Sequence, residues 1–170
     1  MLKLISSISQ LNCEQLMAVY REGNTENGKW ISPDAGVEEQ CRSAETAFLE
    51  YLREDFFVQK GTLYCAWEAE GAYQAALRLE PYRDGFLLEA LETAPNARRK
   101  GYAYSLMTAV LDYLRTTDCR VLYSHVSKKN MPSLAVHKKC GFHMISNSAT
   151  YVDGTVTQNS YTLCCDIEKL

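Results

Sequence analysis

The sequence predicts an α/β (α+β) fold, with a mixed and mostly antiparallel central sheet of six to seven strands flanked by about four helices. Three observations carry that expectation. After Lys60-Gly61, extended runs over 62–68, 73–80 and 85–92 are joined by short turns at Ala69-Glu70-Gly71 and Pro81-Tyr82-Arg83-Asp84, which makes an antiparallel meander. The third run passes through Thr93-Ala94-Pro95-Asn96 and a basic turn into a helix on which Ala103, Leu106, Met107, Val110, Leu111 and Leu114 share one apolar face. Two later runs, 142–152 and 156–167, face each other across Asp153-Gly154, a strong hairpin signal.

The remaining elements follow in chain order. A first strand is expected over 2–8, and Asn12-x-x-Gln15 resembles a capping box that starts a helix bearing Leu16, Val19 and Tyr20 on one side. Gly23 is expected to end it, and residues 24–33, polar with Gly28 inside and Pro33 at the end, read as a loop. A second helix is expected over 37–53, with Cys41, Ala44, Phe48 and Leu52 at helical spacing. After the basic turn and its helix come a strand around 121–126 and a short helix that starts at Pro132, carries Lys138 and Lys139 in its last turn and is capped by Gly141. No linker, repeat or low-complexity tract divides the chain, so residues 1–170 are expected to form one domain.

Composition narrows the function classes. The chain has 170 residues, of which 46% are hydrophobic, an ordinary fraction for a globular protein with a sizeable core. A formal charge of −3 and the lack of any basic stripe argue against nucleic acid as a partner. The cysteines, at 13, 41, 65, 119, 140, 164 and 165, are odd in number and include no C-x-x-C pair, so neither a disulfide framework nor a zinc site is expected. Residues 1–5 are too short for a signal peptide and no apolar run reaches membrane-spanning length, so the expected compartment is the cytoplasm, with no membrane partner.

The chemistry concentrates in Arg98-Arg99-Lys100-Gly101-Tyr102-Ala103. A basic cluster, a glycine and a small residue stand where a helix begins, so free backbone amides and the positive end of the helix dipole favour an anion, while the small side chains let a phosphate approach closely. The turn is neither a G-x-x-x-x-G-K-[ST] loop nor a G-x-G-x-x-G loop opening a helix.

A second segment, Asn130-x-x-Ser133-x-x-x-His137-x-x-x-Gly141-Phe142, follows the first, Thr93-x-Pro95-x-x-Arg98-x-x-Gly101-x-Ala103. Together, in this order and at this separation, the two resemble the GNAT family of N-acetyltransferases. The resemblance covers the last half of the chain in motifs and the first half only in the order of its elements.

The resemblance implies that Arg98, Arg99, Lys100, Gly101, Tyr102 and Ala103 bind the pyrophosphate of acetyl-CoA, mostly through backbone amides. Leu91 and Thr93, at the end of the preceding strand, are expected to pair their main chain with its pantetheine arm. Asn130 and Ser133 stand where the family contacts the coenzyme or orders the active site. The family often places a tyrosine acid seven residues after that asparagine, and this chain has His137 there. An imidazole can protonate a departing thiolate or hydrogen-bond its sulfur, so His137 is a catalytic candidate, the alternative being a structural role on the short helix.

An attacking amine must also lose a proton, and Glu89 and Glu92 are the candidate bases on the strand beside the coenzyme. Three positions apart, they point to opposite faces of a regular strand, so only one faces the acceptor unless a bulge intervenes. Glu89 is preferred, because it lies further from the phosphate turn. Trp30, Phe56, Phe57 and Tyr151 are candidates to line the acceptor pocket, with the core or a homodimer contact as their other uses.

The expected activity is transfer of an acetyl group to an amine of a small molecule, amino acid or peptide by direct attack. The rival expectation is a catalytically silent module that holds an acyl-CoA as a sensor or structural ligand.

Overall fold

The computed structural model describes residues 1–169. Its meander is β2 (Leu63–Ala69), β3 (Ala72–Tyr82) and β4 (Gly85–Thr93), and β1 (Leu2–Ile5) adds to the outer edge of β2. Glu70 and Gly71, with φ of 56° and 76°, make the tight left-handed turn that the β2–β3 hairpin requires. Strand β5 (Val121–Ser127) joins β4 in parallel, and with β6 (His143–Ser146) and β9 (Ser160–Asp166) the order closes as β1-β2-β3-β4-β5-β9-β6, seven strands in one sheet.

The C-terminal hairpin differs from the expectation in being broken. Strand β6 pairs with β9 in the main sheet, whereas β7 (Ala149–Thr150) and β8 (Val156–Thr157) form a ladder of their own around Gly154. The register slip between Met144 and Ser146 starts that divergence.

Two layers of helix cover the sheet. On one face lies α4 (Tyr102–Leu114), whose Leu106, Met107, Val110, Leu111 and Leu114 pack on Leu77, Leu79, Leu88, Leu122 and Leu163. Each such buried side chain contributes about 1.5–3 kcal/mol relative to exposure. The other face carries α1 (Cys13–Val19) and α3 (Val37–Tyr51), with Leu16, Val19, Tyr20, Leu52 and Phe56 against Tyr64, Ala66 and Ala76. Asn12 caps α1 as expected, accepting from the Gln15 amide at 3.1 Å, but the Gln15 side chain reaches out to Tyr73 and Gly71 instead of closing the box.

Residues 24–33 are not a loop. They belong almost wholly to α2 (Arg21–Ile31), which follows α1 after the single residue Tyr20. Gly28 explains why a polar, glycine-containing stretch is helical here: a Cβ at that position would lie 2.1 Å from the Gln40 carbonyl oxygen, so only glycine lets α2 cross α3 at this distance. Asn24, buried, donates to the Met17 sulfur at 3.5 Å and so ties α2 to α1. Trp30 projects to solvent at 88% exposure and Phe56 is wholly buried in the core, so neither of these two lines an acceptor pocket.

Candidate active site

The site begins where β4 and β5 part. Their parallel pairing runs through Phe86–Leu122, Leu87–Tyr123 and Leu88–Ser124 and stops there. Just beyond, Ala90 takes a left-handed φ of 51°, and the β3–β4 register slips. Strand β3 advances two residues, from Arg78 to Ala76, while β4 advances three, from Glu89 to Glu92. The additional residue is a β-bulge, which bends β4 away from β5 and leaves that edge of residues 89–93 unpaired by β5. Outside glycine, such a φ costs about 1–2 kcal/mol. The Tyr20 hydroxyl offsets part of that cost by donating to the Ala90 carbonyl at 2.6 Å. Burial pushes the Tyr20 phenol well above its ordinary pKa, so it stays a donor.

The bulge changes the geometry of the two carboxylates. Directly opposed residues of an antiparallel pair share a face. Arg78 and Ala76 are two apart on β3, so Glu89 and Glu92 stand on the same side of the sheet and not on opposite sides. They differ in their partners. The Arg78 guanidinium donates to Glu89 at 3.0 and 3.3 Å and also reaches Glu80 at 3.4 Å, with Tyr51 donating to Glu80 at 3.3 Å. Glu80 is held above the usual carboxylate range by burial and by Glu89. Glu92 accepts from Arg98 at 3.2 Å, and Arg98 also meets Glu22 of α2 at 2.6 Å. The Arg98 side chain therefore ties α2 to β4.

Alongside the bent strand runs a cleft of about 520 Å3, lined by Leu91, Glu92 and Thr93 on one side, the 98–104 turn at one end and Asn130, Ser133 and Val136 on the other side. The turn makes two left-handed steps, Arg99 at φ 62° and Gly101 at φ 84°. Gly101 is the N-cap of α4 and contributes no side-chain cap, and the Ser105 amide is the donor bonded to its carbonyl. The amides of Tyr102, Ala103 and Tyr104 precede the first helical bond and face the turn. A Cβ built on Gly101 meets no heavy atom within 4 Å, so the space in front of the turn is open. Arg99 and Lys100 are exposed beside it.

A second cavity of about 150 Å3 lies between the diverging strands, lined among others by Glu89, Ala90, Ser124, His125 and His137. It shares Leu91, Asn130 and Ser133 with the cleft, so the two form one groove. Asn130 accepts from the Ser133 amide at 3.1 Å and so caps α5 (Met131–Lys139), which presents its first turn to the groove.

His137 sits at the back of this cavity, 1% exposed. Its Nδ1 donates to the Ser133 carbonyl at 2.7 Å, which leaves Nε2 to accept from the Ser124 hydroxyl at 2.9 Å. The ring also packs edge-on against Phe142, 5.0 Å between centroids. Burial lowers the His137 pKa against the opposing pull of the Ser133 carbonyl. A neutral His137 in this tautomer points no N–H into the groove.

One groove residue carries no signal in the motifs. His125, the neighbour of Ser124 on β5, packs its ring edge-on against Tyr82 and Tyr151, at 5.8 and 4.9 Å. Strand alternation is the only sequence feature that places it opposite Ser124. Of the proposed acceptor aromatics, Tyr151 packs on the ring of His125 without lining the groove itself, while Phe57 borders a separate cavity near Tyr113. Cys65, wholly buried, has its thiol pushed up to about 12 by burial, and no group of residues fit to hold a metal occurs among the described residues. No helix is long and apolar enough to cross a membrane among them.

The acetyltransferase (GNAT) family model matches residues 26–142. Among solved structures, the PaiA N-acetyltransferase from Thermoplasma acidophilum in complex with coenzyme A is similar with a TM-score of 0.63 at 14% identity, covering 98% of this chain and 99% of that one. Spermidine N-acetyltransferase from Vibrio cholerae, in complex with CoA and spermine, gives 0.63 at 15% identity over 99% and 96%. Ribosomal-protein-alanine N-acetyltransferase from Brucella melitensis gives 0.59 at 19% identity over 96% of each chain. At these identities the likeness is one of fold. Among curated proteins, no sequence matches the chain.

Proposed function

The chain belongs to the GNAT acetyltransferase family, whose co-substrate is acetyl-CoA, and from that premise we propose an N-acetyltransferase that acylates an amine of a small molecule, amino acid or peptide by direct attack. The observation that carries this reading is the single groove running from the amides of Tyr102, Ala103 and Tyr104 to Glu89. It suits a long ligand with an anionic end: open space at Gly101, a β4 edge left unpaired by β5, and a narrower cavity at the far end.

In this reading the amides of Tyr102, Ala103 and Tyr104, with Gly101 leaving the approach open and Arg99 and Lys100 in support, hold the pyrophosphate. Leu91 and Thr93 pair their main chain with the pantetheine arm. Asn130 and Ser133 flank the groove where its two parts join. Bound acetyl-CoA supplies a thioester whose carbonyl carbon is the electrophile. Glu89 lies at that end and faces the acceptor side, whereas Glu92, held by Arg98, belongs to the phosphate end. His137 enters the proposal as a positioning residue, not as the acid: its Nδ1–H is committed to Ser133 and its Nε2 to Ser124, so it locks α5 onto β5. A thiolate departs without an obligatory acid, and solvent can protonate it.

The engaged state of His137 also favours a second reading, a coenzyme-binding sensor without turnover. One experiment separates the two. Thermal unfolding with acetyl-CoA, and with ATP and NAD as controls, tests the ligand; a hundredfold excess over the dissociation constant adds about 2.7 kcal/mol. Thiol release with spermidine and alanine-terminated peptides, the acceptor types named for two structural neighbours, then tests turnover. A melting shift equal for all three ligands refutes the acetyl-CoA site. A shift without thiol release leaves the sensor.

A further inference from the structure

His125 stands at the point where β5 loses β4 as a partner. Strand alternation turns Ser124 and Val126 toward α4 and α5, and turns Tyr123 and His125 to the opposite face, the one on which Leu87 and Glu89 stand. Both ring nitrogens of His125 are shielded from solvent, yet neither has a hydrogen-bond partner among the described residues. Buried polar atoms are nearly always paired, so an orphaned pair at the wall of a cavity points to a partner that enters the cavity. That cavity is the narrow end of the groove, where Glu89 is also found. Tyr82 and Tyr151 hold the ring between them, and Tyr82 is itself fixed by donating to the Thr150 carbonyl at 2.7 Å. Glu89, by contrast, has its carboxylate committed to Arg78.

We propose that His125 is a catalytic residue, the direct acceptor of the proton lost by the attacking amine. The assignment rests on the N-acetyltransferase reading above. The nitrogen lone pair of the neutral amine forms the N–C bond to the acetyl carbon. The C–S pair leaves on sulfur, one N–H proton passes to a ring nitrogen of His125, and the thiolate takes its proton from solvent or from the imidazolium. Glu89 lies close enough to act electrostatically on the ring and balances the imidazolium that forms. The groups facing the ring are Glu89 from β4, Arg83 from the β3–β4 turn, Tyr82 from the end of β3 and Tyr151 after β7. Burial, the largest influence, keeps His125 below its ordinary pKa against the pull of Glu89, so the ring is neutral and basic near pH 7. Loss of a proton from His125 should therefore give the turnover profile an acid limb that lies below 6.5.

The test measures thiol release from acetyl-CoA with spermidine, benzylamine and an alanine-terminated tripeptide, in wild type, His125→Ala and His125→Gln. Expected is a loss of kcat of roughly 100-fold or more in both variants. The acetyl-CoA dissociation constant should hold, the acid limb of the pH profile should disappear, and added imidazole should rescue His125→Ala but not His125→Gln. Variants that turn over like wild type, or that lose activity only in step with coenzyme binding, overturn the assignment while leaving the acetyltransferase reading intact. Wild type that binds acetyl-CoA but releases no thiol with any of the three amines refutes both. A measurement on wild type guards against misfolded variants: coenzyme A should shift the ring resonances of His125, and saturation without such a shift overturns the proposal.

Discussion

The Tyr20 hydroxyl and the Ala90 carbonyl meet at 2.6 Å across 70 positions of sequence, and this bond holds the bulge that opens the groove. Tyr20→Phe removes the donor and leaves a carbonyl partly buried without a partner, at a cost of about 1–3 kcal/mol. For a chain of this length each kcal/mol lowers the melting temperature by about 2–4 °C. The bulge should also relax toward regular pairing with β5, so the affinity for acetyl-CoA should fall further than stability alone requires. Thermal unfolding and a binding titration check the pair of effects. A variant that melts lower but binds normally separates the bulge from the site.

Gly101 offers a cleaner handle on the phosphate end. Its φ of 84° disfavours any L side chain by about 1–2 kcal/mol, but a Cβ there touches nothing within 4 Å. Gly101→Val should therefore still fold while its side chain fills the space in front of the α4 amides. Gly101→Asn, better tolerated in left-handed backbone, should recover the stability and not the binding. Melting curves in the absence of ligand and titration with coenzyme A distinguish the two contributions. Tight binding by the asparagine variant places the pyrophosphate elsewhere.

What the sequence disclosed and what it hid divide along the range of the interactions. The meander, the Asn12 cap and the α4 stripe depend on residues a few positions apart, and all are readable from periodicity and turn chemistry. The α2 helix is not, because Gly28 looks like a helix breaker until α3 is placed against it. The common face of Glu89 and Glu92 was equally hidden. It depends on an additional residue at Ala90, stabilised by a tyrosine on another element, and local alternation assigns the two carboxylates to opposite sides. The phosphate turn was legible because amides and glycine act locally. His125 was not, because its role depends on Glu89, Tyr82 and Tyr151, which come from three other segments.

His137 gives a pH dependence with a defined sign. Burial lowers its folded pKa below the ordinary 6.5 of the unfolded chain. The unfolded state therefore takes up a proton first as the medium is acidified, so the contribution of His137 to stability is full above pH 6.5 and is lost as pH falls toward the lowered folded value. His125 titrates in the same direction, so the comparison must remove one ring at a time. His137→Gln keeps an acceptor for Ser124 and a donor for Ser133 but does not titrate; its melting temperature should fall less than that of wild type between about pH 7 and 5. An identical slope in the two proteins shows that His137 does not control this window.

Asn130 joins the fold to the site most directly, because one side chain oxygen caps α5 and the same residue lines both parts of the groove. Asn130→Ala leaves the Ser133 amide without its 3.1 Å acceptor, and loss of such a cap costs about 1 kcal/mol. Asn130→Asp preserves the acceptor and, with its negative charge at a helix N-terminus, keeps or improves stability. That same charge lies along the path proposed for an anionic coenzyme. The aspartate variant should therefore melt at or above the wild-type temperature and yet bind acetyl-CoA more weakly, with the deficit shrinking as salt screens the charge. The alanine variant should melt lower, and its binding deficit should not depend on salt. Were the aspartate variant to bind as wild type at low ionic strength, Asn130 would be a cap alone, and the coenzyme would pass on the far side of Ser133.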